Sequence, residues 1–191
     1  MSILRTPRLE LVPLTLAMVE AVLHGHREDA EAAVGAKMPE RWPNRELVER
    51  AFTVSLDAIQ ARPLECLWGG RVLIGRGRDA ERRVLGSVVF HGEPGDDGVV
   101  EVAYGVEEAS QGQGYATEAV DACVGWALLQ RGVRAVQAAT FPWHRPSLRV
   151  IAKLGMVKVG TREHETLGEL LVFERKKAKG AASIDEAQTG R

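Results

Sequence analysis

Cysteine is scarce in this chain, and the two present, Cys66 and Cys123, cannot build a disulfide framework or a Cys-based zinc cluster. The reducing cytosol is therefore the expected home. The five histidines are scattered without an HExxH spacing, so no metal site is expected. Neither sign of charge dominates: 25 Lys+Arg against 26 Asp+Glu leave a formal charge of −1, which removes the electrostatic case for a nucleic-acid binder. No run approaches the roughly 18 apolar residues of a membrane helix, and the opening Met-Ser-Ile-Leu-Arg-Thr-Pro-Arg has no apolar leader core, so no membrane partner is expected. What is present is ordinary: 191 residues, 45% apolar and 27% charged, suit one folded domain.

The periodicity orders the elements. Arg8–Pro13 alternates as a short strand, and Thr15 caps a helix to about Leu23, interrupted by Gly25 and His26. A loop follows from Gly35 to Asn44, and Asn44 caps a second helix on Leu47, Val48, Ala51, Phe52 and Leu56. From Leu64 the period changes to two. Leu67–Ile74, Val84–His91 and Val99–Val106 form an antiparallel meander whose turns are the polar stretches 75–83 and 92–98.

The clearest helix comes next. Ala116, Ala119, Val120, Cys123, Val124, Ala127 and Leu128 make one apolar stripe, with Glu118 and Asp121 off it. Cys123 is thereby a core hydrophobe. Strands at Val133–Thr140, Met156–Thr161 and Leu170–Phe173 and a helix at Pro146–Leu154, stopped by Gly155, complete the order. Strand 99–106, helix and strand 133–140 form a crossover, which requires a parallel pair. The expectation is an α/β (α+β) domain over residues 1–176: a mixed, mostly antiparallel sheet of six to seven strands with about four helices, then a flexible tail over 177–191.

The junction Gln111-Gly112-Gln113-Gly114-Tyr115-Ala116 carries the most chemistry. Two glycines let backbone N–H groups approach a ligand, and the start of a helix favours an anion there. No Gly-Lys-[Ser/Thr] follows, which excludes a P-loop, and Thr117 stands where a dinucleotide fingerprint needs glycine. One carboxylate, Glu101, lies on the opposite face of its strand from Val100, Val102, Tyr104 and Val106, which makes it a candidate base. His91, at the end of the preceding strand, is the alternative.

These segments resemble the GNAT family of N-acetyltransferases. The Gln-Gly-x-Gly-x-Ala run at 111–116 is similar to the family's acyl-CoA motif (Gln/Arg-x-x-Gly-x-Gly/Ala), and Ala116-Thr117-Glu118-Ala119 to the "ATEA" that follows it. Val100–Val106 resembles the fourth strand, and His144–Met156 the Asn-x-x-Ser…Lys-Leu-Gly-Phe segment. The opening Leu4-Arg5-Thr6-Pro7-Arg8-Leu9 is similar to the start of the branch containing the ribosomal-protein N-terminal acetyltransferases. The resemblance, spanning about residues 4–175, implies acetyl-CoA as cosubstrate, no metal, and a primary amine as acceptor, of a small molecule or a protein N-terminus, attacked directly in a ternary complex.

It implies further that Tyr104, Gly105 and Val106 hold the pantetheine arm by main chain, that an N–H near Val106 polarises the carbonyl, and that Gln111, Gly112, Gln113, Gly114, Tyr115 and Ala116 bind the pyrophosphate. Ser147 is the implied acid. Ile151 stands where many members have a tyrosine, and His144 replaces the usual CoA-anchoring Asn. Trp143 lines the acceptor or pantetheine channel or simply packs, whereas Arg5 and Arg8 read as surface charges. The acceptor groove would be bordered by Leu23–Leu64, acidic at Glu28, Asp29, Glu31, Glu40 and Glu46. An acyl-CoA-binding module without turnover is the alternative, and a homodimer is left open.

Overall fold

A computed structural model describes residues 2–40, 68–76, 82–164 and 166–178. The helix expected from Asn44, together with Trp42, Cys66 and the tail beyond 178, lies outside them. Within the described residues one mixed sheet of eight strands runs in the order β1-β2-β3-β4-β5-β6-β8-β7. The strands are β1 (Leu4–Arg5), β2 (Leu9–Pro13), β3 (Arg71–Gly75), β4 (Val84–Phe90), β5 (Val99–Val106), β6 (Ala135–Thr140), β7 (Val157–His164) and β8 (Gly168–Lys176). The helices are α1 (Leu16–Leu23), α2 (Arg27–Val34), α3 (Tyr115–Leu129) and α4 (Arg145–Lys153). The expected six to seven strands become eight because β1, two residues long, pairs antiparallel with β2 (Leu4 with Leu11, Arg5 with Glu10). Among the described residues no helix is long and apolar enough to cross a membrane.

The chain divides into two units by internal contacts: Met1–Phe90 with Tyr104–Ala119, and His91–Ala103 with Val120–Arg191. In the first, β2, β3 and β4 pair antiparallel, and Leu9, Leu11, Val72, Leu73, Ile74 and Val84 are buried. Thr15 caps α1 as expected, its hydroxyl accepting from the Met18 N–H at 3.3 Å. Helix α2 was not expected. It begins just past the Gly25–His26 break and ends at Gly35, which adopts φ 62°. Only Ala30 and Val34 of its residues are buried, too few to print a stripe in the sequence. Arg71 is wholly buried at the start of β3, and its Nη1 donates to the Ser2 carbonyl at 2.8 Å.

A register shift between Leu73 and Ile74 bulges β4 beside Gly86, whose φ is 153°. A Cβ there would lie 2.1 Å from the Gly105 carbonyl oxygen and 2.9 Å from the Val106 Cα. Glycine is what allows β4 this close to the end of β5.

In the second unit the expected parallel pair is present, Val99 opposite Ala135 and Glu101 opposite Gln137. Strands β6 and β7 both pair antiparallel with β8. From Val120 onward the stripe of α3 is buried as read: Val120, Cys123, Val124 and Ala127 are fully covered and Leu128 is 9% exposed. Burying a valine or leucine side chain is worth about 1.5–3 kcal/mol, so this face is a main anchor of the unit. Strands β7 and β8 run longer than their apolar residues announced, because β7 lies at the edge of the sheet and is exposed along nearly its whole length.

Candidate active site

The strand-to-helix junction is ordered from its own residues. Beyond β5, Glu107 caps a 3-10 turn at Glu108–Ser110, its carboxylate accepting from the Ala109 N–H at 3.0 Å and from the Ser110 hydroxyl. The Gln111 side chain turns back, its Nε2 donating to the Val106 carbonyl at 3.0 Å, and Gln113 Nε2 donates to the Ala109 carbonyl at 3.3 Å. Gly112 and Gly114 take φ of 74° and 86°, a region other residues enter only with strain. Nothing lies within 4 Å of where a Gly112 Cβ would stand, so the loop is open on that side.

Helix α3 begins at Tyr115, and its first rung runs from the Glu118 N–H to the Gly114 carbonyl at 3.1 Å. The N–H groups ahead of that rung have no partner within the helix and carry the positive end of its dipole. Gln111, Gly112 and Gln113 are exposed, while Gly114, Tyr115 and Ala116 are half-buried. The junction has the open side, the glycines and the donors that a diphosphate needs. Tyr104, Gly105 and Val106 lie at the end of β5 leading into it, all half-buried.

Two residues that the sequence assigned elsewhere are built into this junction. Glu118 Oε1 accepts from the Thr6 hydroxyl at 2.6 Å and from the Arg8 N–H at 2.9 Å, and Oε2 from Arg8 Nε at 2.6 Å. Arg8 Nη1 donates to the Gln113 carbonyl at 2.9 Å, and its guanidinium lies 4.6 Å above the centre of the Tyr115 ring. Arg8 is therefore more than the surface charge expected of it. Partial burial raises the Glu118 pKa, but the bonds from Thr6 and Arg8 outweigh it and hold the carboxyl below its ordinary 4.5.

A carboxyl lowered on folding contributes stability in full above its unfolded value and loses it as pH falls. Wild-type stability is accordingly expected to fall more steeply than that of Glu118→Gln as the pH drops below about 4.5. Urea unfolding at a series of pH values measures this, and parallel profiles would refute it.

In the second unit Glu101 is not the lone carboxylate expected. Arg162 of β7 grips both oxygens, Nη1 to Oε2 and Nη2 to Oε1, each at 2.9 Å. The hydrogen bonds and charge of Glu101 raise the Arg162 pKa above its usual value against partial desolvation. The Glu101 side chain is 20% exposed, and His91 Nδ1 stands 3.8 Å from Oε1. The His91 N–H also donates to the Glu101 carbonyl at 2.9 Å, so the structure brings the two candidate bases together.

Helix α4 starts one residue earlier than read, at Arg145, which places Pro146 and Ser147 in its first turn. His144 occupies the N-cap position without a side-chain capping bond; its Nδ1 is 3.4 Å from the Thr140 hydroxyl. Ser147 is half-buried. Trp143 is 68% exposed and stacks on Phe141, centroids 5.0 Å apart and planes within 5°. Part of the acidity expected near the acceptor groove is neutralised locally, since Glu31 pairs with Lys37 at 2.7 Å and Arg27 at 3.6 Å.

The same order of elements recurs in known proteins. The chain is 21% identical over 164 residues to an uncharacterized N-acetyltransferase, YjdG, of Bacillus subtilis, covering 82% of this chain and 90% of that one. Among solved structures, a GNAT-family acetyltransferase from Bordetella pertussis superposes with a TM-score of 0.61 at 23% identity over 92% of this chain and 99% of its own. The ribosomal-protein α-N-acetyltransferase RimL, solved in complex with coenzyme A, does so with a TM-score of 0.62 at 13% identity over 92% and 98%. The sequence profile of the GNAT acetyltransferase domain matches residues 8–157, from the arginine at the junction to the first residue of β7. That match covers most of the chain, which belongs to the GNAT acetyltransferase family, the acetyl-CoA-dependent N-acyltransferases.

Proposed function

We propose that the protein transfers the acetyl group of acetyl-CoA to a primary amine, of a small molecule or a protein N-terminus, by direct attack in a ternary complex. One observation carries the reading: the open Gln111–Ala116 junction, with Gly112 and Gly114 at positive φ, leading into the N-terminus of a 15-residue helix. RimL, of the same fold, was solved with coenzyme A. The N–H groups of the junction receive the diphosphate, and the main chain of Tyr104, Gly105 and Val106 receives the pantetheine arm, with a Val106-region N–H polarising the thioester carbonyl. His144, standing in the place of the family's asparagine, is assigned a part in anchoring CoA.

The amine nitrogen attacks the carbonyl carbon, the C–N bond forms, and the C–S bond breaks. Glu101 takes the proton released from the amine, directly or through water, and Ser147 donates a proton to the departing thiolate. Glu101 is held in one orientation by Arg162, which suits a fixed acceptor of that proton. Cys123 is assigned no covalent role, since it is wholly buried on the core face of α3.

A thiol-release assay over a panel of small amines and peptides with free N-termini tests the reading. Release of CoA that depends on the amine is expected for at least one class of acceptor. Binding of acetyl-CoA with no thiol release over the whole panel would leave the acyl-CoA-binding module as the better account, and no binding at all would remove both.

A further inference from the structure

We propose that Arg8 is a positioning residue for the acyl-CoA diphosphate, an inference that rests on the acetyl-CoA reading above. An acidic residue in the first turn satisfies the helix dipole, so an unneutralised Glu118 would compete with any anion brought to the same N-terminus. Arg8 removes that competition by pairing with Glu118 Oε2 at 2.6 Å.

The same guanidinium holds the loop itself. Its Nη1 fixes the Gln113 carbonyl at 2.9 Å, between the two glycines, and its plane covers Tyr115 at 4.6 Å. Holding that carbonyl fixes the peptide plane shared with the Gly114 N–H, one of the donors that would face the diphosphate. An exposed ion pair ordinarily contributes little. This one differs because a single planar fork engages a carboxylate and a carbonyl and covers a ring, and because its partner is 16% exposed against 46% for Arg8. Arg8 thus acts through Gln113 and Glu118 rather than by contact with the reacting atoms.

Calorimetric titration of the full-length protein with CoA tests this. Arg8→Ala is expected to weaken binding about tenfold to a hundredfold, the loss expected when a charge-assisted contact is removed. Combining it with Glu118→Gln removes the unneutralised carboxylate and is expected to restore a large part of the affinity. Arg8→Lys keeps a charge for Glu118 but cannot also span Gln113, so it falls between the two.

In turnover the loss is expected to fall on the KM for acetyl-CoA rather than on kcat. The advantage of acetyl-CoA over S-acetylpantetheine, which lacks the diphosphate, is expected to shrink. A general loss of structure would lower the use of both donors together and would not be rescued by the second substitution. If Arg8→Ala fails to fold at the assay temperature, the comparison of Arg8→Lys with wild type decides. Wild-type affinity in the arginine variants, no rescue by Glu118→Gln, or an unchanged donor ratio would overturn the proposal. Failure of the wild-type protein to bind CoA would instead remove the acetyl-CoA reading on which it rests.

Discussion

Turnover of an amine acceptor is expected to fall about a hundredfold or more when Glu101 is replaced by glutamine, the range over which a positioned general base contributes. Glutamine keeps the size and can still accept a hydrogen bond from Arg162, but it cannot take a proton from the amine. Affinity for CoA is expected to stay near that of wild type, because Glu101 is not among the residues assigned to the diphosphate or the pantetheine arm. The ion pair with Arg162, whose side chain is 52% exposed, gives the fold little that the substitution would take away. Steady-state kinetics with saturating acetyl-CoA measure the effect, alongside a thermal melt. Turnover within a few-fold of wild type would move the proton to His91, 3.8 Å away, and a matching loss in a His91 variant would then establish the transfer.

Alanine at position 86 is expected to destabilise the protein by about 2–5 kcal/mol, with the melting temperature lowered on the order of 5–15 °C. The added methyl would meet backbone, the Gly105 carbonyl at 2.1 Å, which cannot swing aside as the end of a flexible side chain can. Its φ of 153° adds strain for any L-residue. Relief requires β4 or the end of β5 to shift, and that end carries Tyr104, Gly105 and Val106. Loss of stability and loss of acetyl-CoA affinity are therefore expected together. Calorimetry and CoA titration of Gly86→Ala decide the matter: an unchanged melt would mean that the two strands separate at no cost.

The parts of this architecture that were legible in the sequence are those in which burial repeats with a short period. The stripe of α3 and the alternation of Val100 and Val102 against Glu101 gave the helix, the strand and its two faces, since one covered side forces apolar residues into step. The junction was legible because glycines mark special backbone. Helix α2 and the outer length of β7 were not, because each covers too little surface to impose a pattern. Ties between distant residues leave no periodic trace at all. Glu101 could be assigned to a face, but its partner Arg162 lies 61 residues away on an exposed edge strand. Arg8 stood in a stretch resembling its family, yet nothing local said that its guanidinium is aimed at Gln113 and Glu118.

The tie between Arg8 and Glu118 spans 110 residues of chain. As the polypeptide leaves the ribosome, Thr6 and Arg8 emerge well before Glu118 and must wait for the 110 or so intervening residues to be synthesised before meeting it. Contacts of such long range form late, because the loop they close carries its entropic cost until the intervening strands have paired. The Gln111–Ala116 junction thus gains its ties to Thr6 and Arg8 only after the intervening strands β2 to β5 have been made, and a chain released before Glu118 would carry β2 without them.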